Sequence, residues 1–132
     1  MTLLGNHPAE ILILLFLTIT FLQSGIDKLT DWSGNVSFIK DHFKQSPLKN
    51  TVPLLVGTIL VLEIVTGVLM SIGIYQLAST GAKEVALLGI EFAGICLLFL
   101  LIGQRLAKDY VGAMSLAVYF TLTVFGVFLL HS

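Results

Sequence analysis

The sequence predicts an all-α integral membrane protein: a four-helix transmembrane bundle with a short interfacial amphipathic helix between the first and second spans. Three observations carry that reading. Of 132 residues, 56% are hydrophobic and only 11% charged, whereas a soluble domain carries about 25% charged residues to coat its surface. The mean hydropathy is +0.98, too apolar for a water-facing surface. The apolar residues also fall into four runs, each able as a helix to cross hydrocarbon about 30 Å thick, which takes roughly 20 residues. Loop lengths leave residues 1–132 as a single transmembrane domain.

The spans are expected at about 9–26, 52–76, 85–103 and 110–130. The first ends at Asp27-Lys28. It has no basic region before it and no small-x-small cleavage site after it, so it reads as a retained span rather than a signal peptide. Pro53 opens the second at a position where a missing N–H costs nothing. The third lies between Lys83-Glu84 and Gln104-Arg105. The fourth runs from Tyr110 to Leu130 with no ionisable residue before His131.

Residues 27–51 form the only sizeable loop. Within it Trp32, Val36, Ile39 and Phe43 recur at helical spacing, with Ser37, Lys40, Asp41 and Lys44 on the opposite face. This predicts a helix over about 33–45, capped by Asp31 or Ser33 and stopped by Pro47. It is too short to span, so it should lie in the interface with its apolar face down. There it serves as a lid or docking surface, or simply as a connector between spans.

Basic residues set the expected orientation. The 27–51 and 104–109 loops share one side and hold Lys28, Lys40, Lys44, Lys49, Arg105 and Lys108, leaving Lys83 alone of the 7 Lys and Arg residues on the other. The positive-inside rule puts those two loops in the cytoplasm of a cell with this protein in its inner membrane. Both termini then face outward, with His7 and His131 near the outer face.

Function should reside in the polar residues within the spans, because an acid at mid-membrane costs at least about 2.5 to 3.5 kcal/mol. Glu63 lies near the middle of the second span and Glu91 about seven residues inside the third. Their depths are compatible with contact, and two carboxylates sharing a dry site would not both ionise. Such a pair would carry protons or bind a ligand; the alternative is a protonated acid that fixes helix packing. Gly67 lies on the Glu63 face, and Glu84, Glu91, Leu98 and Arg105 recur every seven residues beside Gly94. Gly89, Ala93 and Cys96 form a small-residue packing seam, with Cys96 as an apolar filler. Thr20, Gln23, Ser24, Asp27, Lys28 and Asp31 make the end of the first span polar, and Gln23 and Gln104 should lie at similar depth there. That cluster is a pocket mouth or a wetted helix end.

Several functions are excluded or restricted. The formal charge of −1 offers no basic face for nucleic acid. The single Cys rules out an internal disulfide and CxxC dithiol chemistry. Bundle haems need His ligands within the spans, and all three His lie outside or at the edges. No cofactor or metal is expected on this chain. Quinone, which needs only an apolar slot and one or two polar groups, is compatible with it but unsupported.

The string Ser24-Gly25-Ile26-Asp27-Lys28-Leu29-Thr30-Asp31 resembles the "aGlxKlxdp" signature of the DoxX family of small bacterial membrane proteins. The run Leu62-Glu63-Ile64-Val65-Thr66-Gly67 through Gly73 is similar to that family's second-helix pattern. Gly25, Lys28, Asp31, Glu63 and Gly67 match motif positions, and the last two spans match by hydropathy alone. The resemblance implies a four-helix membrane protein of a family named for a subunit associated with thiosulfate oxidation and electron delivery to quinone. Most such proteins have no established activity of their own.

Two functions follow. The first is an accessory or structural subunit of a larger membrane complex, redox- or quinone-linked in this family. Its partners are the lipid bilayer and other membrane subunits, and any enzymatic role is that of a non-catalytic oxidoreductase subunit. The second is a small proton-coupled carrier using a buried Glu, similar in size to the small multidrug transporters. Those proteins, however, place their Glu in the first helix, where this chain has only Glu10 at the edge. A homo-oligomer is compatible with either.

Overall fold

The computed structural model describes residues 5–44, 50–106 and 109–132, and these described residues form five helices: α1 (Pro8–Thr30), α2 (Trp32–His42), α3 (Val52–Ser79), α4 (Glu84–Leu106) and α5 (Tyr110–His131). All but α2 are long and apolar enough to cross a membrane, and the described residues contain no strand. The chain is an all-α four-helix bundle of a multi-pass membrane protein.

Around the bundle the order is α1, α3, α4, α5. The α1–α3, α3–α4 and α4–α5 seams are broad, and the α1–α5 seam that closes the ring is thin. His7, before α1, and Ser132, after α5, both lie by the α3–α4 turn: the His7 ring is 4.0 Å from a Cβ placed on Gly81, and Lys83 Nζ donates to the Ser132 carbonyl oxygen at 3.2 Å. We call this the terminal end, and the opposite one the α2 end. Leu14, Leu17, Met70 and Ile90 are fully buried at the centre, while Leu12, Ile19, Val61, Val118 and Phe128 face outward. In lipid that outward apolar surface costs nothing, so the helices are held by close packing and internal polar contacts rather than by hydrophobic burial. Helix backbones approach closely at Gly73, where an added Cβ would run into the backbone of Ala86. Gly89 lets Met70 approach in the same seam, so Gly89, Ala93 and Cys96 all face inward.

α1 continues four residues past its expected end at 26, as far as Thr30. The chain then turns sharply at Asp31, whose carboxylate accepts from Gly34 N–H at 3.3 Å and caps α2. The Asn35 side-chain amide donates back to the carbonyl oxygens of Asp31 and Asp27, at 2.8 and 3.2 Å. α2 packs on α1 and α3 across the end of the bundle. Val36, Ile39 and Phe43 are half-buried, whereas Trp32, at 39%, stays exposed while touching the Gly57 position of α3. The expected stop at Pro47 and the basic residues Lys49 and Lys108 lie outside the described residues.

Candidate functional site

The extension of α1 creates the site. Residues 21, 24, 25 and 28 recur at helical spacing, so continuing the helix to Thr30 puts Lys28 one turn beyond Ser24 on the α3-facing side. Gly25 permits the contact, with Ile64 and Leu60 of α3 covering the place where its side chain would stand. Lys28 Nζ then donates to Ser24 Oγ at 2.7 Å and lies 2.7 Å from Glu63 Oε1. The two side chains are 17% and 3% exposed. The contact is one of charge and proximity; its angles are off-axis, and Glu63 Oε1 has no aligned hydrogen-bond donor. The hydroxyls of Thr18 and of Thr66, one turn along from Glu63, are likewise buried without hydrogen bonds.

Glu63 stands level with Gly25, because Gly25 meets Leu60 and Ile64 while Gly67 meets Leu22. At 1.5 Å per residue that level lies about 26 Å along α1. On α3 and α4, however, the level is central: the Gly73–Ala86 and Gly89–Met70 contacts set Glu63 beside Cys96, so the acid stands near the middle of those two spans. α3, at 28 residues, projects past α1 to receive α2.

Against Glu63 opens a cavity of about 160 Å³ between α1, α3, α4 and α5. Leu17, Leu97 and Leu100 wall it, and Thr20, Ser24 and Tyr119 also reach its surface. The Thr20 hydroxyl is engaged with the Phe16 carbonyl at 2.9 Å. The Phe16 and Tyr119 rings meet across the α1–α5 seam with centroids 6.1 Å apart.

The sequence offered Glu63 and Glu91 as buried acids at depths compatible with contact; the structure brings Lys28 to Glu63 and turns Glu91 outward. The inward arc of α4 is Ala86, Gly89, Ile90, Ala93, Cys96 and Leu97, and at 3.6 residues per turn Glu91 falls almost opposite its centre. Glu84, Leu98 and Arg105 share that outward face. Gln23 is also exposed, on the far side of α1 from Phe21 and Gly25. Gln104 is half-buried beside Gly112 at the start of α5. Gln23 and Gln104 therefore do not form a shared pocket mouth.

Lys28 is the partner that sequence reasoning missed. The available signal was the i, i+4 spacing of Ser24 and Lys28 together with the helix cap at Asp31, which allows α1 to run on. Gly25, Lys28, Glu63 and Gly67 all lie along the α1–α3 seam, and Asp31 turns the corner beside it. Among the described residues no three His, Cys, Asp or Glu side chains gather as a metal would require. No protein-family model, curated protein or solved structure matches the chain.

Proposed function

We propose that this chain is a DoxX-like accessory subunit of a larger membrane complex, seated against its partner by the outward face of α4. The observation that carries this is Glu91. It stands on the bundle's outer surface among Leu88, Ile95 and Leu98, which are 47%, 49% and 44% exposed. Glu91 is about 10 Å inside α4 by helical rise, deeper than a glutamate side chain reaches. An ionisable group facing lipid at that depth is costly, and a neighbouring subunit that supplies a donor removes the cost. Glu63, by contrast, is already partnered within the bundle by Lys28.

In this reading the protein resides in a bacterial inner membrane with its α2 end in the cytoplasm and both termini outside, as the distribution of Lys and Arg favours. Its contribution is structural, and any electron-carrying cofactor of the complex belongs to partner subunits. The second reading, a proton-coupled carrier working through Glu63, is favoured by the cavity beside that carboxylate.

The test is purification from native membranes in mild detergent, with companions identified by mass spectrometry. Stable co-purification of wild type with a larger complex, lost in Glu91→Leu, supports the subunit reading. A bare monomer or homodimer overturns it.

A further inference from the structure

The outward face of α4 carries the chemistry of what covers it. Its exposed residues Leu88, Glu91, Ile95, Leu98, Ile102 and Arg105 follow one another in alternating steps of three and four, a strict seven-residue repeat. A stripe of that period stays in register with a second helix that winds around it in the left-handed sense, at a crossing angle of about 20°. Within hydrocarbon only a helix brings its own backbone hydrogen bonds satisfied. The face is a seat for one transmembrane helix.

Spacing alone does not single out α4, and charge does. Leu54, Val61, Val65, Val68 and Ile72 form a similar outward stripe on α3, exposed and without an ionisable group, so lipid tails cover it at no cost. On α4 the stripe holds Glu91 inside the membrane and Glu84 one heptad nearer the terminal end. Inside the bundle a buried glutamate is met by a base, with Lys28 Nζ 2.7 Å from Glu63 Oε1. A base opposite Glu91 compensates its charge, which a neutral donor does not.

A second copy of this chain in the same membrane orientation has no such base to offer among the described residues. Lys28 is engaged with Ser24 and Glu63. Lys40 and Lys44 lie on or just past α2, and Lys83 lies in the turn before α4. Arg105 stands over the Tyr110 ring, about 21 Å along α4 from Glu91 by helical rise.

We propose that the partner is a different membrane protein and that it lays one transmembrane helix along α4, with a Lys or Arg facing Glu91. Apolar side chains of that helix meet Leu88, Ile95, Leu98 and Ile102. The base rests on the docking of α4 argued above, and the experiment separates the two.

Tagged full-length chain is purified from native membranes in mild detergent, and its companion is quantified by mass spectrometry for wild type, Glu91→Leu and Glu91→Gln. Both variants change an outward side chain and leave the bundle packing alone. Each strands the partner's base, so both should lower recovery of the companion by about a hundredfold. A benzoylphenylalanine at Leu88 should crosslink to a transmembrane peptide of the companion that contains Lys or Arg. Changing that residue to Leu should restore recovery with Glu91→Leu. If Glu91→Gln keeps the companion and Glu91→Leu loses it, the facing group is a neutral donor, and the base is overturned while the docking of α4 stands. A companion kept by both variants overturns the base and the part played by Glu91. An adduct of twice the chain's mass means an inverted second copy and overturns the different partner. Wild type without a companion overturns the subunit reading itself, and the base with it.

Discussion

Removing Lys28 should damage this protein far more than removing the charge of its partner. At 2.7 Å and an effective dielectric near 20, the gross attraction between Lys28 and Glu63 is about 6 kcal/mol. Desolvation offsets part of it, and deleting one partner of a buried pair costs about 3 to 5 kcal/mol. Because the Lys28 side chain is 17% exposed, the lower figure applies, so Lys28→Met should lose about 3 kcal/mol. Glu63→Gln leaves a lysine two residues from the end of α1, with a stem long enough to carry its ammonium out to the interface. Its loss should be only about 1 kcal/mol. The double variant Lys28→Met/Glu63→Leu has no stranded charge and should recover most of the loss, to within about 1 kcal/mol of wild type. Equilibrium unfolding by SDS in mixed micelles, followed by far-UV circular dichroism, measures all three. Equal costs for the two single variants, or a double variant no more stable than Lys28→Met, would refute a buried pair held by α1 and α3.

Three further outcomes follow from the packing and the caps. Gly73→Ala sets a methyl group against the Ala86 backbone and should cost about 2 kcal/mol in the same unfolding assay. Gly94→Ala meets only Thr123 and Phe120 side chains at 3.6 and 3.9 Å, so it should be neutral or stabilise α4 slightly through helix propensity. Asp31→Ala removes the acceptor for Gly34 N–H and should weaken α2 by about 1 kcal/mol. Hydrogen exchange should then speed up in α2, with α4 and α5 unchanged.

The four spans were legible because hydropathy and length report the surrounding solvent directly, and α3 to α5 lie within a few residues of their expected ranges. The inward faces were not legible. A lipid-facing Leu12 and a buried Leu14 are identical in hydrophobicity, so periodicity of apolar residues cannot separate lipid from core. Glu91 was misplaced for that reason: its depth could be read from the sequence but its azimuth around α4 could not. Lys28 was missed for a different one, since an Asp-Lys pair at the end of an apolar run reads as the membrane boundary. That boundary marks where the lipid ends, and α1 itself runs on to the cap at Asp31. α2 was legible in position and in most of its buried face; Trp32 is the exception because it stands at the first residue, at the corner with α1.

The claim that α4 carries this chain's partner is tested most directly by site-specific photocrosslinking in native membranes. A benzoylphenylalanine replaces Ile95, one turn from Glu91 on the outward face, and in parallel Ile19, on the lipid-facing side of α1; the two are 49% and 62% exposed. The account predicts a discrete adduct of higher mass from position 95, containing a different membrane protein, and none from position 19. No adduct at 95, an adduct of twice the chain's own mass, or equal crosslinking at both positions would contradict it.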